Sequence, residues 1–373
     1  MPRVLIVSHP AVLAVNQLPY AALRAHGWDP WLVVPRRWSH DYSPDSFKPE
    51  RLPELRGRIS ARRVVLAGRV QRHAYVTDAG RIVDTVRPAA AFVEAEPTAI
   101  PTLQWGSALH QRGVPFGVQV DENLPRPYPI PARLIRRWTI AHAAFAAARS
   151  PTAARLLREL APDLPTPIVP HHVPGYGEQP VPQSGRPFTV GYAGRFVEEK
   201  GLDDLLRAVA AIPGARARFV GDGPLLSHLR ERAQAGAALD IVTGVGHDDM
   251  SAAYASFDVL VLPSRTTATW TEQFGRVLVE ALSCGVPVVG SSSGEIPWVV
   301  ESTGGGVVFP EGDVQALCST LVALRADPQR RARLASAGRA AVAERFSVPA
   351  VARALDAALR AALASSPKVN PQG

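Results

Sequence analysis

The segment from residue 188 to 264 alternates β-rich runs with helical runs, and this alternation restricts the possible folds most strongly. The strand-like runs FTVGYAG, ARFVGDG, LDIVTG and DVLVLPS are separated by LDDLLRAVAAI, PLLSHLRERAQ and MSAAYASF, whose apolar residues recur at helical spacing. A repeated strand, helix, strand order predicts parallel strands joined by right-handed crossovers. We therefore expect an open α/β sheet in this half of the chain.

The first half has the same order in a less regular form. RVLIVSH, WLVVP at 31–35, AAFVEA at 90–95 and FGVQVD at 116–121 are strand-like, NQLPYAALRAHGW is helical, and the alanine-rich run at 140–148 predicts another helix. A chain of 373 residues is too long for one ordinary core. We predict a domain at 1–170, a Pro- and Gly-rich linker at 171–187 and a second domain at 188–347.

Composition and cysteine spacing argue against a disordered, disulfide-rich, zinc-binding, secreted or membrane-spanning protein. Hydrophobic residues make up 46% of the chain and charged residues 20%, as in globular proteins. Cys284 and Cys318 lack metal or disulfide spacing, which favours a reducing cytoplasm. His9 and Pro10 interrupt the first apolar run, so we expect no signal peptide, and no run approaches the length of a membrane span.

The net charge of +8 favours an anionic partner such as a phosphorylated small molecule or a membrane surface. High Arg, Ala and Pro content is also typical of a GC-rich, bacterial genome, which explains the same charge without any partner. Basic and aromatic residues do not cluster in a nucleic-acid-binding module, so we expect no nucleic acid.

The stretch TEQFGRVLVEALSCGVPVV places two carboxylates, Glu272 and Glu280, on either side of a predicted helix start. The backbone N–H groups of 275–277 lie between them, and free N–H groups at a helix start bind anions. This spacing suits an anion with hydroxyl-rich groups at both ends. The alternative is that neither carboxylate binds a ligand: Glu272 would be a negative charge favoured by the helix dipole near the first turn, and Glu280 an exposed helix residue.

A second motif, GYAGRFVEEKGLDDLL, carries Arg195 after a strand and Lys200 at the start of a helix. Two cations beside a glycine turn suit phosphate oxygens, although both can also be solvated loop charges. The turn VGDGP at 220–224 ends the next strand on the same edge of the sheet. No dinucleotide-binding or P-loop motif is present in the sequence.

Taken together, these motifs and the later run GVPVVGSSSGEIPWVV…TGGGVVFPEGD resemble the C-terminal half of the retaining glycosyltransferases of family 4, including their E-x7-E pair. The resemblance covers 188–320, and the first 170 residues share only a general order of strands and helices. It implies the GT-B fold, in which two Rossmann-like parallel-sheet domains face a central cleft. It also implies that the final helix, 348–364, packs back on the N-terminal domain.

The resemblance assigns roles to residues of the second half. Arg195, Lys200 and Glu272 would be the catalytic residues, with Glu272 at the transferred sugar and Glu280 at the ribose. The residues expected to bind the donor are Gly194, Arg195, Lys200, Val245, Glu272, Phe274, Gly275, Arg276, Val277 and Glu280.

The activity implied is transfer of a sugar from a nucleotide diphosphate sugar to an acceptor hydroxyl, with retention of configuration. Cations and a helix start would hold the diphosphate, so we expect neither a cofactor nor a metal. The acceptor would be a glycan, a lipid-linked molecule or a natural product.

The first half departs from the family pattern. SHPAVLAVNQ replaces a glycine-rich loop, VQVDENLPRP lacks the usual histidine, and the linker has His172, Val173 and Pro174 instead of Gly-Val-Asp. No catalytic histidine can therefore be carried over. Polar residues at strand ends become the acceptor-side candidates: Asn16, Glu94, Glu96, Asp121 and Glu122.

Two other functions remain open at this point. The carboxylates of the first half would also suit a sugar-nucleotide epimerase of GT-B fold, and a non-catalytic nucleotide-sugar-binding protein would share the donor residues. The run ARLIRRWTI at 132–140 would suit peripheral contact with the inner face of the membrane or, alternatively, a solvated basic helix face.

Overall fold

The computed structural model describes residues 1–40, 43–176, 185–246 and 249–365. The chain divides into two compact units. Unit 1 consists of Met1–His172 and the chain from Val348 onward, and unit 2 is Val173–Ser347. The predicted linker lies partly outside the described residues, at 177–184, as do residues 247 and 248 of the VTGVGHDD turn.

The strands of unit 1, in chain order, are β1 Arg3–Ser8, β2 Asp29–Pro35, β3 Trp38–His40, β4 Ser43–Phe47, β5 Ile59–Arg62, β6 Val64–Val65, β7 Ala74–Tyr75, β8 Ala90–Glu94, β9 Phe116–Val120 and β10 Phe145–Ala148. Those of unit 2 are β11 Thr189–Ala193, β12 Arg216–Val220, β13 Leu239–Val242, β14 Val259–Leu262, β15 Val288–Ser291 and β16 Gly306–Phe309.

The α-helices are α1 Leu18–Ala22, α2 Ala79–Val86, α3 Ile100–His110, α4 Ile130–His142, α5 Pro151–Leu160, α6 Leu202–Ala210, α7 Leu226–Gln234, α8 Met250–Ala255, α9 Arg276–Ser283, α10 Ile296–Thr303, α11 Val314–Ala326, α12 Pro328–Arg345 and α13 Val348–Ser365. Short 3-10 turns include Glu198–Lys200, directly before α6. None of the helices in the described part of the chain is both long and apolar enough to span a membrane.

Unit 1 is built on a six-stranded sheet in the order β10-β9-β8-β1-β2-β5, in which all neighbouring pairs are parallel. In the central strand, Ile6 is paired with Leu32 on one side and Phe92 on the other. Strands of parallel sheets are covered on both faces, so they consist of continuous apolar runs such as VLIV.

Helix α13 belongs to this unit although it follows unit 2 in the chain. Val351, Leu355 and Leu359 pack with β1 and β8 in one apolar core. At the edge of this core, Trp28 Nε1 donates a hydrogen bond to Asp356 at 2.7 Å. Burial of an apolar face, rather than helix propensity alone, therefore holds the last helix in place.

Unit 2 has the more regular sheet, in the order β13-β12-β11-β14-β15-β16, again with parallel pairs. The order reverses direction next to β11, between β12 and β14. In open α/β sheets, ligands bind outside the carboxyl ends of strands at such a reversal. The loops after β11 and β14 are therefore the place to look for a site.

The prediction of a helix over 140–148 is wrong. Helix α4 ends at His142, and Phe145–Ala148 form β10 beside β9, with Ala144 N–H bonded to Phe116 O at 2.8 Å. The ring of Phe145 fills the space at Gly117, where a Cβ would approach it to 2.1 Å. Sheet pairing and burial outweigh the helix propensity of alanine here. Helix α7 also starts later than expected, at Leu226 rather than Pro224.

Candidate active site

The centre of the candidate site in unit 2 is a contact between Lys200 and Glu272. Lys200 Nζ lies 2.5 Å from Glu272 Oε2, and each side chain is 11% exposed. Ser264 Oγ donates to the same carboxylate oxygen at 2.7 Å, and the ring of Trp270 lies 4.8 Å from the ammonium. The two predicted residues, 72 positions apart in sequence, are therefore in direct contact.

The turn before α6 positions Lys200 against the loop that follows β14. Gly201 has φ +64°, and a Cβ there would lie 2.2 Å from the carbonyl oxygen of Pro263, so only glycine allows this approach. Asp204, buried on α6, accepts hydrogen bonds of 2.6 Å from both Nε and Nη2 of Arg265. The close backbone approach and the bidentate pair fasten the two loops together.

Glu280 lies inside α9, four residues after the first helical residue. It is 6% exposed, and Tyr254 Oη donates to its Oε2 at 2.6 Å. Arg276 Nε lies 2.9 Å from Oε1 of the same carboxylate. Burial and the adjacent carboxylate raise the pKa of Tyr254 well above its ordinary value, so its hydroxyl remains a donor. The alternative of an exposed Glu280 is thereby wrong.

The start of α9 offers hydrogen-bond donors to an anion. Gly275 caps the helix with φ +76° and without a side-chain cap, and the first N–H groups of a helix lack the acceptor four residues earlier, although that of Leu278 bonds to Gly275 O at 2.9 Å. Arg276 Nη2 is buried and has no hydrogen-bond partner in the described ranges. An anion at this position would satisfy both the backbone groups and the guanidinium.

Arg195 and Gly194 follow β11, and the hydroxyl of Tyr192 on that strand bonds to this turn. The hydroxyl of Tyr192 donates to the carbonyl oxygen of Arg195 at 2.7 Å. Burial, and then the negative charge of Glu272, raise the pKa of Tyr192 well above its ordinary value, while Arg195 acts in the opposite direction. The charges of Arg195 and Glu272 therefore both act on the hydroxyl of Tyr192.

Three other predicted donor residues have apolar side chains that are buried or partly buried. Phe274 is buried against Trp298 and Phe346 at ring distances of 5.9 and 5.7 Å. Val277 and Val245 are partly buried against the core of unit 2. These three side chains therefore pack in or against the core of unit 2.

Four acceptor-side candidates of unit 1, Glu94, Glu96, Asp121 and Glu122, lie at or just after the carboxyl ends of β8 and β9. Glu94 is buried and its Oε1 lies 2.6 Å from Arg149 Nη2, while its Oε2 accepts from Ser8 at 2.5 Å. Arg149 is also buried and donates to Gln119 Oε1 at 2.6 Å. Glu94 is therefore held in an ion-pair network.

Three further carboxyl groups surround this network. Glu96 Oε1 accepts the backbone N–H groups of Asp121 at 2.7 Å and Glu122 at 3.2 Å. Burial, and then the neighbouring charge of Asp121, raise the pKa of Glu96 well above its ordinary value. Burial also raises the pKa values of Asp121 and Glu122, against the opposing effects of Arg149 and Arg126. These groups can carry protons at a higher pH than ordinary carboxyl groups.

Asn16 and α4 complete the set of predicted N-terminal features. Asn16 Nδ2 donates to the carbonyl oxygen of Pro10 at 2.9 Å, which braces the turn after β1. In the basic run of α4, Trp138 stacks on His142 at 4.6 Å and packs near Phe116. The aromatic residue of this run therefore packs within unit 1, and Arg133 on the same helix is exposed.

Sequence reasoning missed several residues that orient the site. Tyr254 and Ser264 bind the two glutamates, and Arg149 organises the carboxylates of unit 1. Glu295, 2% exposed, donates its backbone N–H to Glu272 O at 3.0 Å, and its Oε1 has no partner in the described part of the chain. The GEIPWVV run contained Glu295, but its sequence gives no signal of this contact.

Across the ranges that the structure describes, no group of three or more His, Cys, Asp or Glu side chains is arranged to hold a metal ion.

A comparison with known proteins finds a family model that matches part of unit 2. Residues 187–327 match the family model described as glycosyl transferases group 1. The chain is 33% identical over 182 residues to 2-deoxystreptamine N-acetyl-D-glucosaminyltransferase of Streptomyces fradiae, covering 46% of this chain and 42% of that protein. It is 35% identical over 174 residues to a GDP-mannose-dependent phosphatidylinositol monomannoside mannosyltransferase of Mycolicibacterium smegmatis, covering 44% of each. The chain thus spans less than half the length of these curated relatives.

Solved structures resemble the chain over nearly its whole length. Sucrose-phosphate synthase from Thermosynechococcus elongatus has a TM-score of 0.73 at 19% identity, covering 98% of this chain and 100% of that one. Anabaena HepE, solved in complex with UDP-glucose, has a TM-score of 0.70 at 18% identity, covering 96% and 100%. The two parallel-sheet α/β units have the GT-B fold, and residues 187–327 are similar to the glycosyl transferases of group 1.

Proposed function

We propose that this protein is a retaining glycosyltransferase that moves a sugar from a nucleotide diphosphate sugar to an acceptor hydroxyl. The observation that carries the proposal is the contact of Lys200 with Glu272 in the same unit as the α9 start and the buried Glu280. All of these residues lie within the range matched by the glycosyl transferase model.

The diphosphate would bind to cations and to the start of α9. Lys200 has three N–H donors, and Glu272 is its side-chain hydrogen-bond partner among the described residues, so donors remain for phosphate oxygens. Arg276 Nη2 and the first N–H groups of α9 add further donors, with Arg195 on the adjacent turn. These groups supply the countercharge of a diphosphate, so we expect turnover to persist in EDTA.

Glu280 would bind the ribose diol. Tyr254 and Arg276 lie at its two carboxylate oxygens, and each oxygen keeps further acceptor capacity. The two protein contacts fix the orientation of the carboxylate before the ligand arrives, which reduces the entropy lost on binding.

In the proposed reaction the bond between the anomeric carbon and the β-phosphate oxygen breaks while the acceptor oxygen bonds to the same face of that carbon. The proton of the acceptor hydroxyl passes to the departing diphosphate. Lys200 and Arg195 stabilise the charge that develops on the diphosphate, and Glu272 orients the hydroxyls of the sugar. Catalysis then depends on positioning and preorganised charge, without a protein nucleophile.

A sugar-nucleotide epimerase is the second candidate, because Glu96, Asp121 and Glu122 have raised pKa values suited to acid and base catalysis. It would use the same donor residues and would convert a nucleotide sugar without any acceptor.

The test is a proton NMR screen of UDP-, GDP-, ADP- and dTDP-sugars incubated with the full chain. We expect slow hydrolysis of at least one donor, with the released sugar first appearing in the donor's anomeric configuration, and loss of hydrolysis in Glu272→Gln and Lys200→Ala. Inverted sugar would contradict retention, and an isomeric nucleotide sugar without acceptor would favour the epimerase. Wild-type turnover and donor affinity in both variants would refute the assignment of the site.

A further inference from the structure

Unit 1 contains a cavity of about 290 Å³ beside its carboxylate network. Its lining residues come from the end of β9, from the loops that follow β8 and β9, and from helices α4 and α5. Because unit 1 alone supplies all of the lining residues, the cavity is defined without reference to unit 2. Its size is at the lower end of small-molecule pockets and is about twice that of an engineered protein cavity that binds benzene.

Most of the lining is aliphatic. Eight of the fifteen lining residues are Pro, Val, Leu or Ala, and among them are Val120, Leu124, Leu156, Leu157 and Leu160. Leu160 is 58% exposed, so the apolar surface continues to the rim of the cavity. Water is held poorly by such walls, and an apolar ring would replace it favourably.

The charged groups of the lining already have partners within unit 1. Glu96 accepts two backbone N–H groups, and Glu122 Oε1 lies 3.2 Å from Arg126 Nε. The guanidinium of Arg136 lies 5.3 Å from the centre of the Tyr128 ring.

The remaining lining carboxylate, Glu159, accepts from Arg155 at 2.7 Å. Because each of these charged groups already has a partner within unit 1, the cavity favours an uncharged ligand.

One polar group of the lining lacks a partner. Thr98 is 5% exposed, and its Oγ1 is buried without a hydrogen-bond partner in the described chain. A buried hydroxyl without a partner costs free energy unless a ligand or water satisfies it. The cavity therefore combines an apolar wall with one hydroxyl able to recognise a polar substituent.

We propose that this cavity binds the uncharged, ring-bearing apolar part of the acceptor, with Thr98 hydrogen-bonded to a polar substituent on it. As an acceptor site it rests on the proposed glycosyl transfer. Glu96, which lines the cavity, also holds the backbone of Asp121 and Glu122, so the ligand lies beside the loop that carries two acceptor-side candidates. The acceptor class is then an aryl- or polycyclic-bearing alcohol or glycoside, in preference to a purely polar sugar.

The test uses the full chain and three probes that differ only in apolar group: methyl, phenyl and 2-naphthyl β-D-glucopyranoside. Calorimetry or ligand-observed NMR measures their binding. We expect the naphthyl glycoside to bind at least about 10-fold more tightly than the methyl glycoside, as burial of a ring predicts. Equal binding of the three probes would overturn the proposal.

Variants locate the binding to the cavity. Leu156→Trp fills it and should abolish the preference for the naphthyl probe, whereas Leu134→Trp, on an exposed residue of α4 that does not line the cavity, should leave the preference unchanged. Thr98→Val keeps the shape and should weaken naphthyl binding about 3- to 10-fold. If Leu156→Trp does not fold, Thr98→Val decides, and unchanged naphthyl binding in Thr98→Val would then overturn the proposal.

Nucleoside diphosphate binding in the same samples separates this inference from the proposed function. Absence of a naphthyl preference in the wild-type protein, with intact nucleotide binding, refutes only the cavity. Absence of nucleotide binding with an intact, Leu156-dependent preference refutes the donor site and leaves the ring-binding cavity standing.

Discussion

Each unit contains a nearly buried ion pair near the carboxyl ends of its strands, and the two pairs differ in how many partners the cation has. Arg149 in unit 1 bonds to Glu94 and Gln119 at 2.6 Å and to the carbonyl oxygen of Val169 at 3.1 Å, with Asp121 at 3.7 Å. Lys200 in unit 2 contacts Glu272 and the face of Trp270.

This difference separates a structural cation from one that is available to a ligand. A guanidinium with several acceptors around it neutralises and bonds buried groups, and its removal leaves charges unpaired. An ammonium with one carboxylate partner keeps donors for an incoming anion. The following variants test this contrast, beginning with the largest expected effect.

Replacing Arg149 with Met should have the largest effect, on stability. The substitution leaves Glu94 and Asp121 buried without their cation, so we expect the free energy of unfolding to fall by about 3–5 kcal/mol. Urea denaturation followed by circular dichroism measures the change. The free energy of unfolding of Lys200→Met should fall by less than half as much. Equal losses in both variants would contradict the distinction between a structural Arg149 and an available Lys200.

Replacing Lys200 with Ala should reduce the turnover of the donor identified in the screen by about 10²–10³-fold, because a preorganised positive charge at the leaving group is lost. Steady-state kinetics measure the effect. The matched control is Lys48→Ala, an exposed lysine of unit 1, which should retain wild-type turnover. A Lys200→Ala enzyme with more than half of the wild-type turnover would contradict the role of this residue.

Removing the hydroxyl of Tyr254 should have an intermediate effect. Tyr254→Phe loses one hydrogen bond to Glu280, so we expect nucleoside diphosphate affinity to fall about 5- to 10-fold. In a Glu280→Gln background the same change should have a smaller effect, because the hydroxyl acts through that carboxylate. Equal effects in both backgrounds would show that Tyr254 does not act through Glu280.

The smallest expected effect is the pH dependence that Glu96 gives to the free energy of unfolding. Its pKa is raised in the folded state, so its contribution to stability is fully present below its unfolded pKa of about 4.5 and is lost as pH rises through the folded pKa. The free energy of unfolding of the wild type, relative to that of Glu96→Gln, should therefore fall as the pH is raised above about 4.5. Denaturant titrations across this range measure it, and a constant difference would contradict the raised pKa.

The sequence predicted most about residues whose spacing along the chain determines their position. Glu272, Gly275 and Glu280 lie within one loop and one helix, so their relation follows from helix geometry. The alternating strands and helices likewise predicted two parallel sheets, and the GT-B structures agree.

The remaining features depend on contacts between distant segments. Tyr254 meets Glu280 across 26 residues and Arg149 meets Glu94 across 55, and no local pattern encodes either contact. The run at 140–148 misled for the same reason, since pairing with β9 decides its conformation. The number of partners around a buried ion pair also depends on the fold. The sequence therefore could not show that Glu94 pairs with a cation that has several other partners, whereas Glu272 pairs with one that has few.

The most direct measurement is a calorimetric titration of the full chain with UDP, GDP, ADP and dTDP and with the corresponding monophosphates. If Lys200, Arg276 and the start of α9 form a diphosphate site, at least one diphosphate should bind about 10-fold or more tightly than its monophosphate, and Lys200→Ala should remove most of that difference. Equal binding of diphosphate and monophosphate, or an unchanged difference in Lys200→Ala, would contradict the account.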